Sequence, residues 1–232
     1  MERSDASGKV ASAKFKADQG RKINMVKVKQ KHWFFILKRT VDIVGSLIGL
    51  ILLSPLFLII AILMKIEEPK GPIFFSQTRV GMNQKRFKMY KIRSMVTDAE
   101  ELLEGLLDDN DIEGAMFKMK EDPRVTKVGK VIRKFSIDEL PQLWNVVKGD
   151  MSLVGPRPPL EREVLEYTEY DKQRLLIKPG CTGLWQVSGR NSLSFDEMVQ
   201  LDIKYIQNLS LLMELEIILK TFKVIIKSTD AY

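Results

Sequence analysis

Residues 50–60 read "LILLSPLFLII", an apolar run suited to the middle of a transmembrane helix, with Ser54 and Pro55 set into it. From Ile43 to Met64, 22 residues pass without a charge, enough at ~1.5 Å per residue to cross a hydrocarbon core ~30 Å thick. Pro55 offers no N–H to the Ile51 carbonyl, its ring crowds that carbonyl, and it disfavours the α region at Ser54. A sharp bend there leaves two arms of about ten residues, each ~15 Å long, and returns the chain to the side it entered from. Ser54 can bond back to the Leu50 carbonyl and so satisfy one of the freed backbone groups. The competing reading is a spanning helix with a tolerated proline kink.

Charge favours the re-entrant hairpin. Lys27, Lys29, Lys31, Lys38 and Arg39 lie upstream, and Lys65, Lys70, Arg79, Lys85, Arg86, Lys88, Lys91 and Arg93 lie downstream. Short basic segments stay on the cytoplasmic side, so a spanning helix would have to export one of these groups. The sequence therefore divides into a basic, polar, largely disordered arm (1–37), a membrane hairpin (38–66) and a cytosolic domain (67–232). The net charge of +7 belongs to the arm, where residues 1–40 hold eleven Lys/Arg against three Asp/Glu. Beside an apolar hairpin its expected partner is anionic lipid, at ~1 kcal/mol per basic residue near the surface; no nucleic-acid motif accompanies it. The apolar run starts too late and is too long for a secretory signal. A single Cys181 forms no intramolecular disulfide, and a single His32 makes a zinc site or a histidine-dependent triad a poor expectation.

Downstream, "PIFFSQTRVG" and "RFKMYKI" flank a turn at 81–85 and read as paired strands. Thr97 and Glu100 have capping-box spacing ahead of Leu102, Leu103, Leu106 and Leu107. Helices are expected over 127–134, over 139–147 with a stop at Gly149, over 160–177, and from a Ser194/Glu197 capping box to about Gln207. The tail 210–227 mixes aliphatics with Lys220, Lys223 and Lys227, which suits either an interfacial amphipathic helix or one packed on the domain.

Chemistry concentrates in "RKFSIDELPQLWNVVKGDMSLVGPRPP", residues 133–159. Asp138 and Glu139 are adjacent, so on a helix they diverge by about 100° and do not form a facing dyad. One carboxylate can attack while the other holds a divalent cation or handles a proton. Alternatively, Ser136 caps a helix and Glu139 completes a capping box, although Pro141 would then delete a helical bond. Pro156 and Pro158 stiffen the backbone around Arg157, favouring a guanidinium ready to grip phosphate. Lys91, Arg93, Arg133 and Arg190 are further candidate phosphate partners. The glycine turns of "KPGCTGLWQVSGR" offer N–H groups to an anion.

These stretches, with "KRTVDIVGSLIGLILLSP", "YKIRSM", "DPRVTKVGKVIRKFSIDELPQLWNV" and "GDMSLVGPRP" in the same order, resemble the bacterial sugar transferases, or monotopic phosphoglycosyl transferases. The resemblance runs from about Lys38 to Lys227. It implies a helix-rich α/β monotopic membrane protein: a re-entrant helix-break-helix hairpin, then a cytosolic domain with small β elements and amphipathic interfacial helices. It implies transfer of a sugar 1-phosphate from a UDP-sugar to undecaprenyl phosphate at the bacterial inner membrane, releasing UMP, for capsule or exopolysaccharide assembly. Asp138 then matches the nucleophile that forms a phosphosugar-aspartyl intermediate. Glu139 matches its Mg²⁺-linked partner, with Asp138 and Glu139 as the metal ligands, and Lys91, Arg133, Arg157 and Arg190 match basic active-site positions. A homodimer is left open. The alternatives are a catalytically inactive membrane scaffold for polysaccharide assembly and a phosphotransferase using a CDP-linked donor. Three positions depart from the usual pattern: Ile92 replaces an aromatic, Leu209–Ser210 replaces Trp-Ser, and Glu214 replaces an Asp. The tail changes put a binding role for Asp202 and Tyr205 in doubt.

Overall fold

A computed structural model describes Ile23, Val28 and residues 30–99, 101–102, 105, 119, 122–189 and 193–227. Residues 1–22, most of the helix expected after Thr97, and Arg190 lie outside the described residues. The first long element is helix α1, His32–Glu67; among the described residues it alone is long and apolar enough to cross a bilayer. The expected break does not divide it. Pro55 strips the Ile51 carbonyl of its usual partner, and Ser54 Oγ donates to that same carbonyl at 2.8 Å. The serine thus repairs the defect its neighbour makes, on Ile51 rather than on Leu50 as expected.

One face of α1 meets the rest of the chain in two stretches, one toward each end. Lys38, Asp42, Ser46, Ile60 and Met64 are buried on it, at the four-residue recurrence of a helical stripe. The opposite face exposes Trp33, Ile36, Val41, Leu47, Ile51, Leu58, Ile62 and Ile66. Polarity in the first half of the helix is therefore inverted relative to a soluble protein, with charge inside and aliphatics outside. The helix also begins inside the expected arm. Ile23 and Val28 from that arm are buried in the main core, and the Ile23 N–H donates to Gln173 Oε1 at 2.6 Å.

Strands β1 (Phe74–Val80) and β2 (Arg86–Ile92) form the expected antiparallel hairpin, pairing Phe74 with Ile92 and Val80 with Arg86. Helix α2, Lys127–Lys134, is capped by Thr126, whose hydroxyl accepts from the Gly129 N–H. The Glu67 carboxylate at the end of α1 also accepts from the Lys127 and Val128 N–H groups, at 2.7 and 3.1 Å, where a negative charge meets the positive end of α2. Helix α3, Gln142–Lys148, ends at Gly149 with φ 90°, the left-handed residue expected at a helix stop.

Two three-residue strands, β3 (Ser152–Val154) and β4 (Gly180–Thr182), pair in parallel. The expected helix over 160–177 is divided. Helix α4, Glu161–Leu165, is followed by a turn in which Asp171 accepts from the Thr168 N–H and hydroxyl, and then by a 3₁₀ segment over Asp171–Leu176. Helix α5, Phe195–Gln207, opens on the Ser194/Glu197 capping box. Helix α6, Leu211–Lys227, buries Glu214 and Ile217 and exposes Leu212, Leu215, Leu219 and Phe222. The main core joins Val154 and Ile177 to Val199, Ile203, Tyr205 and Ile206 of α5 and Ile217 of α6. A second cluster packs Ile60 and Met64 of α1 on Ile92 and Ile132. Ile92, one of the three departures, is thus a core residue.

Candidate active site

The acidic pair sits in the connection between α2 and α3. Ser136 has φ 55° and makes no side-chain capping bond, and Ile137–Glu139 form a single 3₁₀ turn. The capping-box reading therefore fails, because Ser136 points its backbone the wrong way for a cap and Glu139 does not return to it. Instead Glu139 Oε1 accepts from Lys91 Nζ at 2.7 Å, and the same ammonium lies 4.0 Å from Asp138 Oδ2. Strand β2 delivers Lys91 between two carboxylates that the local backbone has released from structural duty.

Asp138 is 8% exposed. Burial pushes its carboxyl up to about 6, against the pull of Lys91, and the neighbouring Glu139 charge adds to the rise. Burial would raise Glu139 as well, but Lys91, with Arg157 and Arg79, holds that carboxyl below its ordinary value. The pair is thus split: one carboxylate is firmly ionised, and its neighbour is poised near neutrality. Arg133, in the last turn of α2, adds positive charge beside Asp138.

Arg157 lies in a loop tied down on both sides. The Gly155 N–H donates to Thr182 O and the Gly180 N–H to Pro156 O, both at 2.9 Å. Arg79 Nη1 donates to Pro158 O at 3.2 Å, and the Val80 N–H to Pro159 O at 3.0 Å. A Cβ on Gly180 would stand 2.1 Å from the Gly155 nitrogen, and one on Gly155 would stand 2.6 Å from Lys178 O. These glycines let two backbone segments cross. Their N–H groups are consumed in that crossing, so of the glycines in the 178–190 turns Gly180 has no N–H left to offer an anion. The positive charge of Arg157 reaches Glu139 on one side and Asp202 on the other.

Sequence reasoning missed Arg79. It is buried on β1, and burial together with the nearby Arg157 charge lowers it to about 10. Its position next to last in a strand of a basic flank gave no signal, because apart from Gln77 on the same strand its partners come from residues 158–163. Arg93, a sequence candidate, is used elsewhere. Its guanidinium pairs with Glu68 and donates to Pro72 O at 2.6 Å and Met95 O at 3.0 Å, clamping the chain just past α1 to the segment that follows β2. Asp202 pairs with Arg174, which donates to the Tyr167 hydroxyl. Tyr205 lies 2.5 Å from Glu214 Oε1 and 3.1 Å from Val154 O. Both residues are buried supports behind the loop.

Among the described residues no cluster of three or more His, Cys, Asp or Glu side chains forms. Asp138 and Glu139 still fit Mg²⁺, an ion commonly held by one or two carboxylates with substrate phosphates and water completing its shell.

Residues 33–228 match the family described as bacterial sugar transferase. Galactosyl transferase CpsE of Streptococcus agalactiae is 50% identical over 204 residues, covering 87% of this chain and 44% of that protein. Undecaprenyl-phosphate galactose phosphotransferase of Salmonella typhimurium is 48% identical over 200 residues, 84% of this chain and 42% of that one. Exopolysaccharide production protein ExoY of Sinorhizobium fredii is 42% identical over 201 residues, 85% and 88% respectively. The chain spans less than half the length of the first two relatives and most of the third.

Proposed function

We propose, from the premise that this chain belongs to the bacterial sugar transferase family, that it moves a sugar 1-phosphate from a UDP-sugar to undecaprenyl phosphate in two displacements. In the first, an Asp138 carboxylate oxygen attacks the phosphorus bonded to the sugar. The bond from that phosphorus to the bridging oxygen breaks, and UMP departs. In the second, the polyprenyl phosphate oxygen attacks the same phosphorus, forming the lipid diphosphate sugar and regenerating the carboxylate. Lys91 holds Glu139 ionised and leaves Asp138 as the group able to attack, and Arg157, Arg133 and Arg79 offset the negative charge of the diphosphate. Mg²⁺ held by Glu139 and Asp138 supplies further charge neutralisation when bound.

The observation that carries this reading is the buried Asp138, released from capping and set beside an ammonium already engaged by its neighbour. The relatives named for undecaprenyl-phosphate galactose phosphotransfer and exopolysaccharide production support the substrate class. Both ends of α1 dock on the same domain, Lys38 on Val154 and Glu67 on the start of α2. That arrangement, with the outward aliphatic face, supports embedding from one side with both ends cytosolic, where the basic flanks belong. A water-soluble donor and a lipid phosphate then meet at the interface.

Membranes carrying the chain should release UMP from a UDP-sugar with Mg²⁺, and Asp138→Asn should abolish release. Undiminished release by that variant would remove Asp138 from the reaction. Nucleotide release separates the enzyme from an inactive scaffold, and CMP release from CDP-linked donors would redirect the donor assignment.

A further inference from the structure

Within the "KRTVD" segment at the start of α1, three side chains reach the two halves of the active site. Arg39 donates to Val146 O at 2.6 Å and Val147 O at 3.0 Å, the last carbonyls of α3, the helix that begins just after Asp138 and Glu139. Asp42 accepts from the Ser152 hydroxyl at 2.8 Å and the Leu153 N–H at 2.9 Å. Lys38 donates to Val154 O at 3.0 Å and to Glu214 at 2.6 Å. Ser152, Leu153 and Val154 form β3, and the chain continues directly through Gly155 and Pro156 to Arg157.

We propose that Lys38, Arg39 and Asp42 are positioning residues: the apolar helix is the jig that sets the phosphate-gripping Arg157 against the acidic pair. Positive-inside charge explains two basic residues near a membrane segment but needs neither hydrogen bonds to buried carbonyls nor a buried carboxylate one turn later. Lys38 and Asp42 are 7% and 3% exposed. A charged residue so deeply buried needs specific partners: Asp42 takes the Ser152 hydroxyl and the Leu153 N–H, and Lys38 takes the Val154 carbonyl together with Glu214 of α6, so both are tied to the strand leading to Arg157. Asp42 acts only through Arg157, whereas Arg39 acts through the helix behind Asp138.

This inference rests on the proposed transfer reaction, so the wild-type burst of UMP from UDP-sugar alone is the control. No burst from any nucleotide sugar defeats the proposed function itself. Given a burst, its amplitude counts folded enzyme and its rate reports positioning. Asp42→Ala should keep the amplitude and slow the rate at least about tenfold, the loss of two hydrogen bonds to a charged group. Asp42→Asn should restore most of the rate, because its carbonyl can accept from Leu153 while its amide donates to the Ser152 hydroxyl. In an Arg157→Ala background, Asp42→Ala should cost less than about twofold more, while Arg39→Met should multiply the Arg157→Ala loss. A full rate in Asp42→Ala, or multiplied losses in the Asp42/Arg157 pair, overturns the proposal. Should Asp42→Ala show no burst amplitude, Ser152→Ala, which removes only the hydroxyl partner, carries the same double-variant comparison.

Discussion

Replacing Asp138 by Asn should make the protein more stable at pH 8 while leaving it inactive. The folded carboxyl is pushed up to about 6 from an ordinary 3.8, first by burial. At pH 8 it is ionised in both states, and at 1.36 kcal/mol per unit the folded state is penalised by about 3 kcal/mol. A raised carboxyl contributes its full stability below the unfolded value, loses it progressively as pH climbs from about 4 to about 6, and stays penalised above. An amide of the same shape escapes this penalty, and Lys91 keeps its 2.7 Å partner in Glu139. The gain should therefore be about 3 kcal/mol at pH 8 and shrink to roughly half a kcal/mol at pH 4. For a chain of this size that corresponds to an apparent unfolding midpoint raised by about 6–12 °C at pH 8. Thermal unfolding in nanodiscs at a fixed scan rate, at both pH values, measures it, with UMP release assayed on the same preparations. A variant less stable than wild type at pH 8, or equally stabilised at pH 4 and pH 8, would refute the account of Asp138 as a buried group held ionised at a cost.

The same carboxyl predicts that the rate of the UMP burst falls on the acid side with a midpoint near pH 6; a flat profile from pH 5 to 8 would count against Asp138 as nucleophile. Arg93→Ala should destabilise by about 1–3 kcal/mol, because the Pro72 and Met95 carbonyls lose their donor while Glu68 keeps the Thr97 hydroxyl, and unchanged stability would contradict the clamp; Lys91→Met should lose UMP release. Gly180→Ala should fail to give folded protein, since its Cβ would sit 2.1 Å from the Gly155 nitrogen; normal expression and activity would contradict the described crossing. In a Cys181→Ser background, cysteines at Lys31 and Lys70 should label from the same membrane side, and opposite-side labelling would refute one-sided embedding.

Locally encoded features could be read in advance. The 127–134 helix, the Ser194/Glu197 capping box and the Gly149 stop each depend on residues within one or two turns of one another, and the β1–β2 hairpin on two runs joined by a short turn. What escaped was set by distant partners. The β3–β4 pair joins residues 28 apart over only three positions each, too short for any periodicity to register. Arg79 and Arg93 are indistinguishable from other basic residues until residues 158–163 and Glu68 are brought to them. The Ser-Pro pair announced a lost hydrogen bond correctly; that the serine would restore it to Ile51 depended on a side-chain rotation no pattern encodes. The acidic pair was legible as a candidate, but choosing chemistry over capping required the backbone at Ser136.

Because α1 supplies Ile60 and Met64 to one core and Lys38 and Asp42 to the strand before Arg157, this apolar element cannot be trimmed away to yield a smaller, more soluble protein. A fragment starting after Glu67 would lose one wall of its interior, leave the Ser152–Val154 backbone without its buried counterpart, and expose Ile92 and Ile132 to water. Efforts to crystallise or purify this protein therefore have to cover the outward aliphatic face of α1 with a bilayer or a faithful substitute for one.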